Sequence, residues 1–302
     1  MDIVQNLKAF LAVAQTGSFS AAARQAGLAT SVLTKRVDQL EAQTRTKLFL
    51  RTTRRLTLTE DGSRWLGQVR TVVADVDELL LEAARPTQDA AGAMRVKVPT
   101  TLAVRYLGDM LGRFQRRHPK VTLDIVLTDR ALNPAEEGFD LAVSVFPESF
   151  SGVVDVPLCA LNRTLCASAD YLARHGTPQH PRELAKHQIL NFYPTGATWR
   201  FESATGPVAV DVRPRMSAND GQVLLAAARA GNGIALLPNY LALPALRTGS
   251  VAAVLEDFSP PELWVRLLVP ERRVLVPRVR ALMDFLTESF RSPPWEQIEP
   301  NE

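Results

Sequence analysis

The hydrophobic period of this chain changes near residue 94, and the change divides it into parts that must fold by different rules. Up to about residue 84, apolar residues recur at helical steps of three and four. From Met94 onward, apolar runs of strand length alternate with helical segments. The 302 residues leave room for two domains, and a composition of 46% hydrophobic and 22% charged residues suits ordinary globular cores. No apolar run reaches the ~18 residues a bilayer span needs. The start, Met1-Asp2-Ile3, lacks the basic-then-apolar pattern of a secretion signal. A cytoplasmic protein without a membrane partner is the expectation.

Within the first sixty residues, Ile3, Leu7, Phe10, Leu11 and Ala14 predict an amphipathic helix over 3–15, ended by Gly17. Ser18 is placed to cap a short second helix, Phe19 to Ala26, whose Ala21, Ala22 and Ala23 permit close packing. After Gly27, a third helix is predicted from Thr30 to Gln43. Its Leu33, Val37 and Leu40 share one face, and Thr30, Ser31, Thr34, Lys35 and Asp38 the other. Short hydroxyls and a cation on one helix face suit base edges and phosphates in a major groove. Leu48 and Phe49 return to the core. Arg51-Thr52-Thr53-Arg54-Arg55 and the alternating Leu56-Thr57-Leu58-Thr59 then predict two short strands with a basic tip, a wing able to bring Arg54 or Arg55 to DNA.

Charge is uneven in the same sense. Residues 1–62 hold nine Lys/Arg against five Asp/Glu, a net +4, although the whole chain carries only +3. A basic module joined to a near-neutral body fits one part for a polyanion and another for something else. A solvated basic face would give the same count.

These stretches resemble the LysR-type transcriptional regulators. The resemblance is carried by Phe10-Leu11-Ala12-Val13-Ala14, Gly17-Ser18-Phe19-Ser20-Ala21-Ala22-Ala23, Leu40-Glu41, Leu48-Phe49-Leu50-Arg51-Thr52 and Leu56-Thr57-Leu58-Thr59-Glu60-Asp61-Gly62. It implies an all-α winged helix-turn-helix over 1–62 that binds double-stranded promoter DNA, with Thr30, Ser31, Thr34 and Lys35 at the base-reading segment. Arg36, Arg51, Arg54 and Arg55 complete the expected contact set. The chain departs from the family's usual residues there. Gln-Pro and Ser-Arg are replaced by Thr30-Ser31 and Thr34-Lys35, the usual Gly by Arg45, and an acidic residue by Leu50. Lysine cannot make arginine's bidentate fork, so the base contacts differ from the family's.

Residues 63–86 predict a linker helix that Pro86 stops. Val69, Val72, Val76, Leu79 and Ala83 step by three and four along it, a heptad seam for pairing with a second copy. A core helix packed on its own domain would show a similar stripe. The resemblance implies dimerisation through this helix, further pairing into a tetramer, and contact with RNA polymerase. Residues 87–93 read as a hinge.

Residues 94–292 predict an α/β domain of two lobes, 94–160 with 267–292 and 161–266, with a mostly parallel sheet and ligands at the strands' carboxyl ends. Asp140-Leu141-Ala142-Val143, Ala167-Ser168-Ala169-Asp170-Tyr171-Leu172, Asn219-Asp220-Gly221, Ala230-Gly231-Asn232-Gly233-Ile234-Ala235-Leu236-Leu237-Pro238 and the closing segment from Pro277 to Phe285 resemble the same family's effector domain, itself similar to periplasmic solute-binding proteins. By position the resemblance places a small-molecule effector against Thr100, Thr101 and Leu102, then Thr128, then Ser144 and Phe146, with Asn219 and Asp220 opposite. Thr100 and Thr101 have a reason of their own. They lie where a strand becomes a helix, and the free amides and hydroxyls of such a turn suit a carboxylate, so an organic acid is the expected effector. A simple helix cap would also place threonine there. Trp199, Arg200 and Phe201 fit a cleft wall or a strand within the second lobe equally well.

An enzyme is not expected. The four histidines, His118, His175, His180 and His187, have no metal-ligand partners at the right spacing, and the chain has no nucleophile elbow or phosphate-binding loop. Neither a cofactor nor a metal is expected. Cys159 and Cys166 read as buried thiols, with a redox pair as the alternative.

Overall fold

A computed structural model describes residues 2–51, 55–84, 90–203 and 206–296. They cluster into two units, Met1–Asp89 with Leu132–Asp140, and Ala90–Ala131 with Leu141–Glu302.

In the first unit, α1 (Ile3–Thr16), α2 (Phe19–Gln25) and α3 (Thr30–Thr44) surround Phe10, Val13, Ala22, Leu33, Val37 and Leu40. Local chemistry sets the ends of these helices. Gly17 takes φ 64 to close α1, and Ser18 Oγ accepts the Ala21 amide to open α2. The strands β1 (Phe49–Arg51) and β2 (Leu56–Leu58) pair antiparallel as the base of a wing. Buried Glu41 fixes where that wing begins: its Oε1 accepts the amides of Leu48 at 2.9 Å and Phe49 at 3.2 Å, and its Oε2 takes Lys47 at 2.7 Å. Burial pushes its pKa up, but these donors outweigh burial and hold the carboxyl below its ordinary range.

The long helix α4 (Glu60–Ala84) follows. Its expected seam is not one face. Val69 and Val73 are buried in the first unit's own core, whereas Val72, Leu79 and Leu80 are exposed and Val76 half-buried. Val69 thus faces inward, and the free stripe runs through Val72, Val76, Leu79 and Leu80. The side chain of Ala83 lies outside the described residues. Leu132–Asp140, read from sequence within the first lobe, clusters here instead. It crosses α4 at Gly67, where a Cβ would meet the Glu136 carbonyl oxygen at 2.4 Å.

The second unit opens with β3 (Gly92–Val98), α5 (Thr100–Leu102), a π-helical turn over Ala103–Leu107 and α6 (Gly108–Arg117). The strands β4 (Val121–Leu127), β5 (Leu141–Ser144), β6 (Val153–Leu161) and β7 (Arg163–Ala167) follow. Then come α7 (Ala169–His175), β8 (Ile189–Phe192), β9 (Thr198–Phe201), β10 (Val208–Asp211), β11 (Pro214–Ala218), α8 (Gly221–Arg229) and β12 (Ile234–Pro238). The chain closes with α9 (Asn239–Arg247), β13 (Ala252–Ala253), β14 (Leu263–Pro270) and α10 (Pro277–Ser289).

Two five-stranded sheets result, ordered β4-β3-β5-β14-β6 and β11-β8-β12-β7-β13. Each is mixed rather than mostly parallel. The ladders β3–β4, β3–β5, β8–β11 and β8–β12 are parallel, and the other four antiparallel. The cause is the way the chain changes lobes. Asn162 alone separates β6 from β7, and β14 returns beside that crossing with Leu263 paired to Leu161. The returning strand must therefore run antiparallel to the departing one.

Candidate functional site

On the first unit, the N-terminal turns of α3 form the candidate DNA surface. Thr30, Ser31 and Lys35 are exposed and Thr34 is half-buried. No side chain caps the helix, whose preceding residue is Ala29, so its first amides remain available to a phosphate. Val32, not singled out from sequence, is 41% exposed among these polar residues, where it can contact a thymine methyl. Sequence pattern assigns valine to the core by default, which hides such a residue.

The arginines divide. Arg36 donates to Gln5 Oε1 at 3.3 Å, toward α1. Arg51 is held by Asp38 at 2.6 Å and lies 4.6 Å over the Phe19 ring. Arg51, expected as a DNA contact, joins the wing to α3 and α2 through these two contacts and stays exposed. Arg55 is exposed, and Arg54 lies outside the described residues.

In the second unit, a cavity of about 50 Å³ lies between the lobes, with Thr101, Asp129 and Phe146 on one side and Trp199, Leu237 and Tyr240 on the other. An outer pocket of about 270 Å³ shares Asp129 and Phe146 and adds Tyr193 and Asn219. Of the expected effector residues, Thr101 and Phe146 line the cavity and Asn219 the outer pocket. Asp220 reaches the site through Thr101, whose hydroxyl donates to Asp220 Oδ2 at 2.8 Å. Its Oδ1 caps α8 by accepting the Gln222 and Val223 amides.

The other four do not line either pocket. Leu102 is wholly buried in the core. Ser144 is buried and accepts the Phe146 amide, and Thr128 accepts the Arg130 amide. Thr100 is occupied by its own chain: its amide donates to Asp129 Oδ1 at 3.2 Å. The turn expected to hold a carboxylate is already capped by one, and the neighbouring threonine hydroxyl is spent on another. Trp199 is a cavity wall whose Nε1 donates to Asn191, while Phe201 is buried in the second lobe's core and Arg200 is exposed.

Sequence reasoning missed Asp129, one residue past Thr128. It is 7% exposed, and its Oδ2 is buried with no hydrogen-bond partner. Burial pushes its pKa up, against the Thr100 donors and the Lys97 charge, and Asp220 adds to the rise. Lys97 is 1% exposed, donates to the Val143 carbonyl, and is pulled down to about 8 by burial. Across the cavity Arg163 donates to the Pro261 carbonyl, and its Nε is buried without a partner.

The histidines have structural surroundings. His118 packs on Phe114, and His175 stacks on Tyr171. His187 Nδ1 meets the Tyr171 hydroxyl at 3.1 Å, and His180 caps the turn at Arg182. No group of three metal-ligating side chains occurs among the described residues. Cys159 and Cys166 are both free and buried, and burial pushes their thiols up to about 12.

A winged helix-turn-helix with an exposed polar recognition face, in one chain with a two-lobed α/β unit enclosing a cavity, defines a ligand-responsive DNA-binding regulator. The family model described as "Bacterial regulatory helix-turn-helix protein, lysR family" matches residues 4–63, and that described as "LysR substrate binding domain" matches residues 87–291. The chain belongs to the LysR-type transcriptional regulators: it is a DNA-binding regulator with an effector-binding domain, and not an enzyme.

Among its relatives, the probable HTH-type transcriptional regulator LtrA of Klebsiella pneumoniae is 31% identical, across 96% of this chain and 95% of that one. The full-length structure of AphB, a virulence activator of Vibrio cholerae, superposes with a TM-score of 0.65 at 26% identity, over 95% of this chain and 99% of that one. CrgA of Neisseria meningitidis superposes with a TM-score of 0.60 at 28% identity, over 95% and 98%.

Proposed function

We propose that this regulator acts as a dimer joined along α4, reads promoter DNA with the first turns of α3 and the wing, and is switched by a small molecule held between the lobes of its second unit. The observation that carries the switching step is the bond between Thr101 in the first lobe and Asp220 in the second, 2.8 Å long beside the cavity. A ligand that enters must compete with this tie, so occupancy and lobe geometry are coupled.

The exposed stripe Val72, Leu79 and Leu80 supports the dimer, since an isolated helix gains by covering it with a second copy. Val104, Ile125 and Leu127 on the first lobe and Val223 on the second are also exposed, which supports a second contact between effector domains and hence a tetramer. Action at promoters supports a cytoplasmic protein that works beside RNA polymerase.

Selection of binding sites from random-sequence DNA by the full chain tests the DNA reading. A dimer should recover an inverted repeat with its halves about one helical turn, or a multiple of it, apart. Recovery of isolated half-sites would count against the dimer.

A further inference from the structure

Asp129 stands out among the groups around the cavity because half of it has work and half has none. Its Oδ1 caps the strand-to-helix turn through the Thr100 amide. Its Oδ2 is buried and unpartnered, on a residue that lines both the inner cavity and the outer pocket. A buried carboxylate oxygen without a donor costs free energy, and such groups are normally satisfied by a partner that arrives from elsewhere.

The protein's own donors near it are engaged, the Thr100 amide and hydroxyl already with the Asp129 carboxyl. The Thr101 hydroxyl goes to Asp220, and the Lys97 ammonium to the Val143 carbonyl. When ionised, Lys97, Asp129 and Asp220 leave one negative charge uncompensated at this end of the cavity. Arg163, the cation of the lining, lies across the cavity and donates to the Pro261 carbonyl, and Phe146, Trp199, Leu237 and Tyr240 give the walls between flat or apolar faces.

We propose that the effector presents a compact monocation, an ammonium group, to Asp129 Oδ2, and carries an apolar or aromatic body that packs against Phe146, Trp199 and Tyr240. The inference rests on the reading of this cavity as the effector site and adds the ligand's chemical class. An ammonium supplies the missing donor, cancels the uncompensated charge, and gains from the aromatic faces around it. A carboxylate in the same place would meet Asp129 and Asp220 and find the Thr100 amide already taken.

The test uses the full chain with phenylethylamine and benzylamine as cationic probes, and phenylacetate and benzoate as anionic ones. Binding is followed by calorimetry and by thermal melting. Two variants accompany it. Asp129→Asn keeps an oxygen for the Thr100 amide, so the turn stays capped, but removes the charge. Thr195→Trp adds bulk at an exposed position on the cavity rim.

The amines should bind the wild type, bind Asp129→Asn about tenfold or more weakly, and be blocked by Thr195→Trp. If the anionic probes bind and the amines do not, with Thr195→Trp blocking them, the cavity is the effector site but the proposed class is wrong. If the amines bind wild type and both variants alike, they bind elsewhere, and the proposal falls with the cavity reading. Absence of any amine binding overturns the proposal as well.

Discussion

Glu41 Oε1 accepts the backbone amide of Leu48 at 2.9 Å, a bond that helps join the end of the recognition helix to the start of the wing. Replacing Glu41 by Ala leaves that amide and the Phe49 amide buried without an acceptor. The cost should be about 2–4 kcal/mol for two orphaned donors, read as a loss of thermal stability of the first unit in the full chain. The same carboxyl makes stability depend on pH. Its folded pKa lies below its unfolded value, so its contribution is complete above the ordinary carboxylate range and is lost as pH falls through the folded value. Melts of wild type and Glu41→Gln should therefore converge in acid; a constant gap would remove the charge from the account.

Arg45 closes α3 with φ 53, a left-handed conformation that side chains other than glycine's resist. Arg45→Gly should raise the stability of the first unit by about 1 kcal/mol, because no backbone strain remains to be held. An unchanged or lower melting temperature would mean that the arginine side chain earns its place through contacts on the helix end.

Lys35 and Arg51 should separate in their salt dependence. Lys35 is exposed on the recognition face, so Lys35→Ala should lower the slope of log affinity against log salt by about one. Arg51 is already paired with Asp38, so Arg51→Ala should lower stability and leave the slope nearly unchanged. Equal losses of slope would return Arg51 to the DNA surface.

Val32→Ala tests the apolar contact on the same face. Loss of two methyl carbons from a thymine contact should cost about 1 kcal/mol at one or two base positions and nothing on non-specific DNA. Binding-site selection with both proteins reads this directly, and identical preferences would exclude Val32 from base reading.

On α4, Leu79→Asp should dissociate the proposed dimer while each unit stays folded, since Leu79 is 65% exposed. Val69→Asp should instead unfold the first unit, since Val69 is buried at 5% exposure in its core. Sedimentation and melting of the two variants separate the outcomes; a dimeric Leu79→Asp protein would move the interface off this stripe.

The three N-terminal helices are legible in the sequence because their signals are local: a 3.6-residue period, Ser18 before α2 and Gly17 after α1. The two faces of α4 are not. Val69 and Val72 both satisfy steps of three and four, and period alone cannot say which neighbour covers a residue. The edge strand β6 is hidden by Pro157, tolerated there because the opposing register shifts between Val265 and Arg266. At the cavity, sequence position brings Thr101, Phe146, Asn219 and Asp220 to the right place. It gives no sign that Thr100 is occupied by Asp129, since 29 residues and a whole strand separate the two. A donor's availability is a property of the folded neighbourhood, which no local pattern records.

The inner cavity, about 50 Å³, has room for a few water molecules and is well below the roughly 300–1,000 Å³ of a small-molecule site. If the effector takes this cavity, as proposed, the lobes must part to admit it. Raising effector concentration then speeds the response only to a ceiling set by the rate of opening. Hinge motions of this kind run over roughly microseconds to milliseconds. Delay at the promoter would then come from the making of RNA, and the sensor would track metabolite levels almost without lag.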